Sequence, residues 1–328
     1  MSYLFVVNPT AKHSKAKEIK KVLEEKIAGH KKHKHLKTDI IMPLTVYELE
    51  KNLKSKIINE HFKTVVAVGG DGTIAQVIKM LIDFPDVNVG ILPQGTGNIL
   101  ASNLGISNEI DTALEIVFNG KEELMDLGHV DGHPFTIIAG TGVPAEIIKD
   151  IKKEDKAMFG IWAYFIKGLE QLYNAKEFDF HLNIDGTEIR TKSIAVFVMN
   201  AGNFLGPFPS ITPDVKPHDD YLDVCIVSLK SLKEDPIGYF ELLLNYLTRN
   251  LKQGGAIQSF KAKNIVIQSS PHLKVQADGD IVSTTPTKIG IMPKKLRVLV
   301  PSRPKILTPS FDEIIDKIEE MFKIKLPR

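Results

Sequence analysis

Between Thr64 and Leu81 the chain reads TVVAVGGDGTIAQVIKML. A short apolar run stops at Gly69-Gly70-Asp71-Gly72-Thr73, and an amphipathic segment follows at once. This is strand, glycine turn, helix, and few folds place all three in that order. The pattern recurs along the first third. YLFVV, TDIIM, TVVAV and VNVGIL read as strands, with helical patterns over 13–28, 46–59 and 73–83 between them and near 98–104 and 109–119 after them. Apolar strands alternating with helices predict a parallel sheet covered on both faces. Ligands in such sheets bind at the carboxyl ends of the strands.

Past residue 121 the character changes. Asp-Gly pairs at 131, 185 and 278 mark hairpin turns, and strands are expected at 222–229, 256–268, 273–277 and 296–300. Two helical patterns interrupt, near 157–174 and 236–250. The fold class is therefore an α/β N-terminal domain with a parallel sheet, followed by a β-rich antiparallel sandwich. The boundaries are 1–125 for the first domain and 126–304 for the second. A capped amphipathic helix over 305–328 is expected to pack back on the first domain.

Composition excludes several classes. The net charge of +2 over 328 residues is too small, and its signs too interleaved, for a nucleic-acid partner. With Cys225 the only cysteine, neither an internal disulfide nor a thiolate zinc site can form. No apolar run approaches a membrane span, and the start lacks a signal-peptide pattern, so a cytoplasmic protein is expected. His30, His33 and His35 lie among lysines that would repel a metal, and the helix around Trp162 reads first as core.

Four loops follow apolar strands: NPTAKHS from Asn8, Gly69–Thr73, Gly95-Thr96-Gly97-Asn98 and Gly140-Thr141-Gly142. Glycine lets backbone amides approach a ligand, and a helix start favours phosphate. GDGTIA formally fits a dinucleotide fingerprint, but Pro93 and Gln94 stand where the acid after the next strand should be. Asp71 would repel phosphates unless a cation intervened, which points to magnesium with a nucleoside triphosphate. The other reading of Asp71 is a residue that closes its own turn.

NPTAK, GGDGT, GTGN with LASNLGI, AGTG, TPDVKPHDDYLDV and VQADGDI occur in this order between residues 8 and 280. In this set the chain resembles the soluble diacylglycerol kinase-type lipid kinases, whose catalytic domain is shared with sphingosine and ceramide kinases. GGDGT alone is also shared with NAD kinases and phosphofructokinase-like folds. The resemblance implies ATP bound between the domains by Asn8, Pro9, Thr10, Ala11, Lys12, Gly69, Gly70, Asp71, Gly72, Thr73, Ile74, Ala75 and Thr96. It also implies that Asn98 supports the phosphate end, that Asp71 works with Mg2+, and that Asp126 lies near the active site. The family's base is a glutamate after a late Asp-Gly pair. Asp280 occupies that place, one methylene shorter. A structural magnesium would be held by Asp220 and the carbonyls of Pro217 and Leu222.

Besides Asp280, the chain departs from the family pattern in three places. The first loop lacks a glycine, so Lys12 or Lys15 would supply charge there. Ile99 follows Gly-Thr-Gly-Asn where many members have aspartate, and Tyr221 stands where glycine is common. The activity implied is transfer of the γ-phosphoryl group of ATP to a lipid hydroxyl, with diacylglycerol the leading acceptor and phosphatidic acid the product. NAD kinase and a nucleotide- or lipid-binding regulator with weak turnover are the alternatives. A lipid alcohol substrate implies transient contact with a membrane surface, and the resemblance is compatible with a homodimer.

Overall fold

The computed structural model describes residues 2–9, 13–29, 37–95, 97–142, 176–202, 215–228 and 257–302. The helices expected at 157–174, 236–250 and 305–328, Trp162 and the three histidines lie outside these residues.

The first half runs β1 (Ser2–Val7), α1 (His13–Gly29), β2 (Lys37–Ile41), α2 (Val46–Glu60), β3 (Thr64–Gly69), α3 (Asp71–Leu81), β4 (Asn88–Pro93), α4 (Ile99–Asn103) and α5 (Ile110–Asn119). Strands β2, β1, β3 and β4 pair in that order, all parallel. β1 and β3 are buried along their whole length, as a sheet covered on both faces requires.

The second half runs β5 (Lys121–Val130), β6 (His133–Phe135), β7 (Ile138–Gly142), β8 (Phe178–Ile184), β9 (Thr187–Ser193), β10 (Ala195–Met199), β11 (Leu222–Val227), β12 (Ile257–Ala262), β13 (Asn264–Ser270), β14 (Lys274–Ala277), β15 (Asp280–Thr284) and β16 (Thr287–Val300). Six strands form a separate sheet, in the order β12-β11-β10-β7-β14-β15. The rest extend the first sheet, in the order β4-β16-β13-β8-β9, with β5 also on β16. Phe180, Leu182, Ile265 and Ile267 from the large sheet share one core with Val196, Val198, Val224 and Val275 from the small one. That is a sandwich of two sheets.

β16 ties the halves together. It pairs parallel with β4 at Arg297 and Val298 and antiparallel with β5 and β13. The sequence boundary at 125/126 thus falls inside β5, and the sheet is continuous across it. Three strand readings change. The stretch 256–268 is two strands in different sheets, broken at Lys263, whose N–H donates to Asp185 Oδ2 at 2.9 Å. The return strand after Asp185-Gly186 switches sheets at Ile194. The segment 296–300 is only the end of β16.

Candidate functional site

The two glycine turns at the ends of β3 and β4 lie against each other. A Cβ on Gly95 would stand 2.6 Å from the Gly70 Cα, and one on Gly70 would stand 3.2 Å from the Gly95 Cα. No larger residue fits at Gly95 without the turns separating. Gln94 N–H donates to Gly69 O at 2.8 Å and fastens the two strand ends. A Cβ on Gly69 would fall within 2.9 Å of the Thr73 side chain. Thr73 Oγ1 in turn accepts from Asn8 Nδ2 at 2.7 Å, which brings the first loop to the same place.

Gly70 is the N-cap of α3 and offers no side-chain oxygen to its amides. The helix start therefore keeps donors and dipole for a ligand. Asp71 reaches beyond its own turn. Its Oδ1 accepts from Ile99 N at 2.7 Å and from Leu100 N at 3.4 Å, so it caps α4 from a neighbouring element. Burial holds the Asp71 carboxyl above the usual carboxylate range, against the backbone N–H groups of Ile99 and Leu100, which favour its charge. Asn98 sits in the left-handed region at φ 48° and braces the second turn. It accepts from Gly95 N at 2.8 Å and donates to Gly95 O and to Asn108 Oδ1, both at 2.9 Å.

Of the anticipated nucleotide set, Ile74 and Ala75 are buried in α3, Ile74 within the first core. Pro9 is buried and Gly72 exposed. Thr10, Ala11, Lys12 and Thr96 lie outside the described residues.

Asp126 is fully buried on β5. Its Oδ1 accepts from Lys294 N at 2.6 Å and its Oδ2 from Asp220 N at 2.8 Å. Its own N–H donates to Pro217 O at 2.7 Å. Amides hold both of its oxygens, so Asp126 ties β5 to the 217–222 loop and to Lys294. The loop it holds has Asp220 at φ 64°. Asp220 Oδ1 is buried without a hydrogen-bond partner, while Oδ2 lies 3.5 Å from Lys294 Nζ. A buried carboxylate oxygen left over in this way fits a hard cation. The Leu222 side chain is buried in the sandwich core. Among the described residues, no three His, Cys, Asp or Glu side chains form a metal cluster, and the anticipated set draws on backbone oxygens instead.

Asp280 is exposed at the start of β15, immediately after the tight turn Asp278-Gly279. The Asp278 side chain is buried, accepts three backbone N–H groups and pairs with Lys79. Asp278, Lys79, Lys294 and Asn108 were not singled out from sequence. The partners of Asp278, Lys79 and Lys294 lie far along the chain, that of Asn108 lies ten residues back, and only the Asp-Gly hairpin signal marked one of the four.

Two family models match the chain: Diacylglycerol kinase catalytic domain over residues 2–130, and YegS C-terminal NAD kinase beta sandwich-like domain over residues 138–300. The chain is 27% identical to a diacylglycerol kinase of Staphylococcus aureus over 75% of its own length and 77% of that protein. It is 26% identical to an uncharacterized protein of Synechocystis over 81% of its own length, and spans 65% of that longer protein. Crystal structures from Bacillus anthracis share the fold. One has a TM-score of 0.74 at 22% identity, covering 91% of this chain and 97% of the other. Another, of a diacylglycerol kinase, has a TM-score of 0.69 at 20% identity, covering 93% and 98%.

Proposed function

Because the chain belongs to the diacylglycerol kinase catalytic-domain family, we propose that it is an ATP- and magnesium-dependent lipid kinase with diacylglycerol as acceptor and phosphatidic acid as product. The observation that carries this reading is the apposition of Gly70 and Gly95 at the uncapped start of α3. Two such turns side by side suit a polyphosphate better than either alone.

The turns Gly69–Thr73 and Gly95–Asn98 flank the phosphate chain, the uncapped start of α3 offers it backbone amides, and Asn8 keeps Thr73 in place. Magnesium, when bound, neutralises charge on the phosphate oxygens. Asp71 is the carboxylate that would hold it there. Asp220, with Pro217 O and Leu222 O, would hold a second, structural ion, and Asp126 fixes that loop. Asp280 takes the proton of the lipid hydroxyl, since an exposed carboxylate at the strand start is open to substrate. Ile281, 42% exposed beside it, offers an apolar surface to a lipid. An acceptor that resides in a bilayer requires contact with a membrane surface, and no helix among the described residues is long and apolar enough to cross one.

The test is label transfer from γ-labelled ATP to a lipid extract and, in parallel, to NAD. Label in a lipid alcohol, lost in Asp280→Ala while ATP still binds, is the expected result. Label in NAD alone would overturn the reading.

A further inference from the structure

Asp280 begins β15, which among the described residues is the last strand of the small sheet and has β14 as its one neighbour. Its direction is therefore set by the hairpin tip. The tip is a two-residue loop between paired Ala277 and Asp280, with Asp278 at φ 49° and Gly279 at φ 96°. Positive values at both positions match the mirror-image turn preferred in hairpins. Asp278 anchors this loop. Its Oδ2 accepts from Thr136 N at 2.8 Å and its Oδ1 from Ile137 N at 2.9 Å and Ile138 N at 3.3 Å. Those partners all belong to the sandwich half.

Lys79 comes from the other half. It stands in the last turn of α3, the helix that begins at the glycine turn. Its Nζ lies 3.3 Å from Asp278 Oδ2, and the Asp278 side chain is 4% exposed. An ion pair with one partner this buried is screened little by solvent. The helix whose start meets the phosphates thus holds, near its far end, the loop that orients Asp280.

We propose that Lys79 is a positioning residue for phosphoryl transfer, fixing the Asp280 hairpin relative to α3 through Asp278. The proposal rests on the reading of Asp280 as the base. A purely structural Lys79 would alter stability and leave turnover of the folded protein alone. A positioning Lys79 alters turnover, because misplacement of about 1 Å can cost ~10²-fold.

The experiment compares wild type, Lys79→Met and Lys79→Arg at a temperature where all are folded by circular dichroism. It measures kcat, the KM for ATP, and amide hydrogen exchange over residues 277–284. In Lys79→Met, kcat should fall roughly 10- to 100-fold, the KM for ATP should stay within about twofold, and hairpin exchange should quicken. Lys79→Arg, which keeps the charge, should recover most of the rate. Unchanged kcat in Lys79→Met, with wild type active, would overturn the proposal and leave the lipid-kinase reading intact. If wild type phosphorylates no lipid, that reading fails instead. Hairpin exchange then decides for Lys79: quickened exchange supports its hold on the loop, and unchanged exchange overturns it.

Discussion

Asp71 carries two demands at the scale of a single residue. Its carboxylate caps α4 through Ile99 N and Leu100 N, yet burial raises its pKa. A carboxyl raised in the folded state favours folding below its unfolded value near 3.8. That contribution is lost as pH rises through the folded value. Asparagine keeps the accepting Oδ1 and removes the charge. Asp71→Asn should therefore unfold at a temperature equal to or above wild type at pH 7, and the advantage should shrink as pH falls through the folded value and be gone below the unfolded one. Its kinase rate should drop by about 10²-fold, the scale on which lost electrostatic stabilisation is felt. Calorimetry across pH and steady-state kinetics check the two halves. Cys225 makes the opposite case: burial pushes its thiol up to about 12, so it is inert core.

At the scale of elements, the α/β half was legible because each signal is local. Apolar runs, glycine stops and amphipathic spacing placed every strand and helix from β1 to α5 within a few residues. The second half was legible in its turns but not in its sheets. Asp185-Gly186 and Asp278-Gly279 form the hairpins that their sequence announces. The sheet switches at Ile194 and Lys263 depend on partners some eighty residues away or on the facing sheet. β16 was hardest to read. Its 287–295 portion holds Pro293-Lys294-Lys295, and Lys294 turns to φ 50° so that its N–H reaches buried Asp126. Of the site, the glycine turns and Asp126 were visible, but what Asp126 and Asp278 hold was not, because their partners are backbone amides brought by the fold. Gly128 on β5 gives an element-scale prediction. A Cβ there would fall 2.0 to 2.6 Å from ring atoms of Phe135, itself fully buried in the sandwich core. Gly128→Ala should cost about 1–3 kcal/mol, read as a lower urea midpoint at unchanged slope.

Among the described residues, two cores are joined by one continuous sheet. Leu296, Val298 and Val300 of β16 pack in the first core, beside Met199, Ala201 and Val215 from the sandwich half. The first half therefore does not own all of its interior. A fragment of residues 1–130 should show weak near-ultraviolet dichroism and no sharp urea transition, since it loses these side chains and leaves β4 an open edge. A sharp transition would show instead that the α/β half is self-sufficient. The same joining puts the glycine turns and the Asp280 hairpin on opposite halves of one body, with Lys79 and Asp278 in contact between them. The account stands most directly on phosphoryl transfer itself. Purified chain, magnesium, γ-labelled ATP and diacylglycerol vesicles should yield labelled phosphatidic acid, with the rate lost in Asp280→Ala and ATP binding retained. A wild-type chain that binds ATP and labels no lipid alcohol, or an Asp280→Ala variant at full rate, would contradict it.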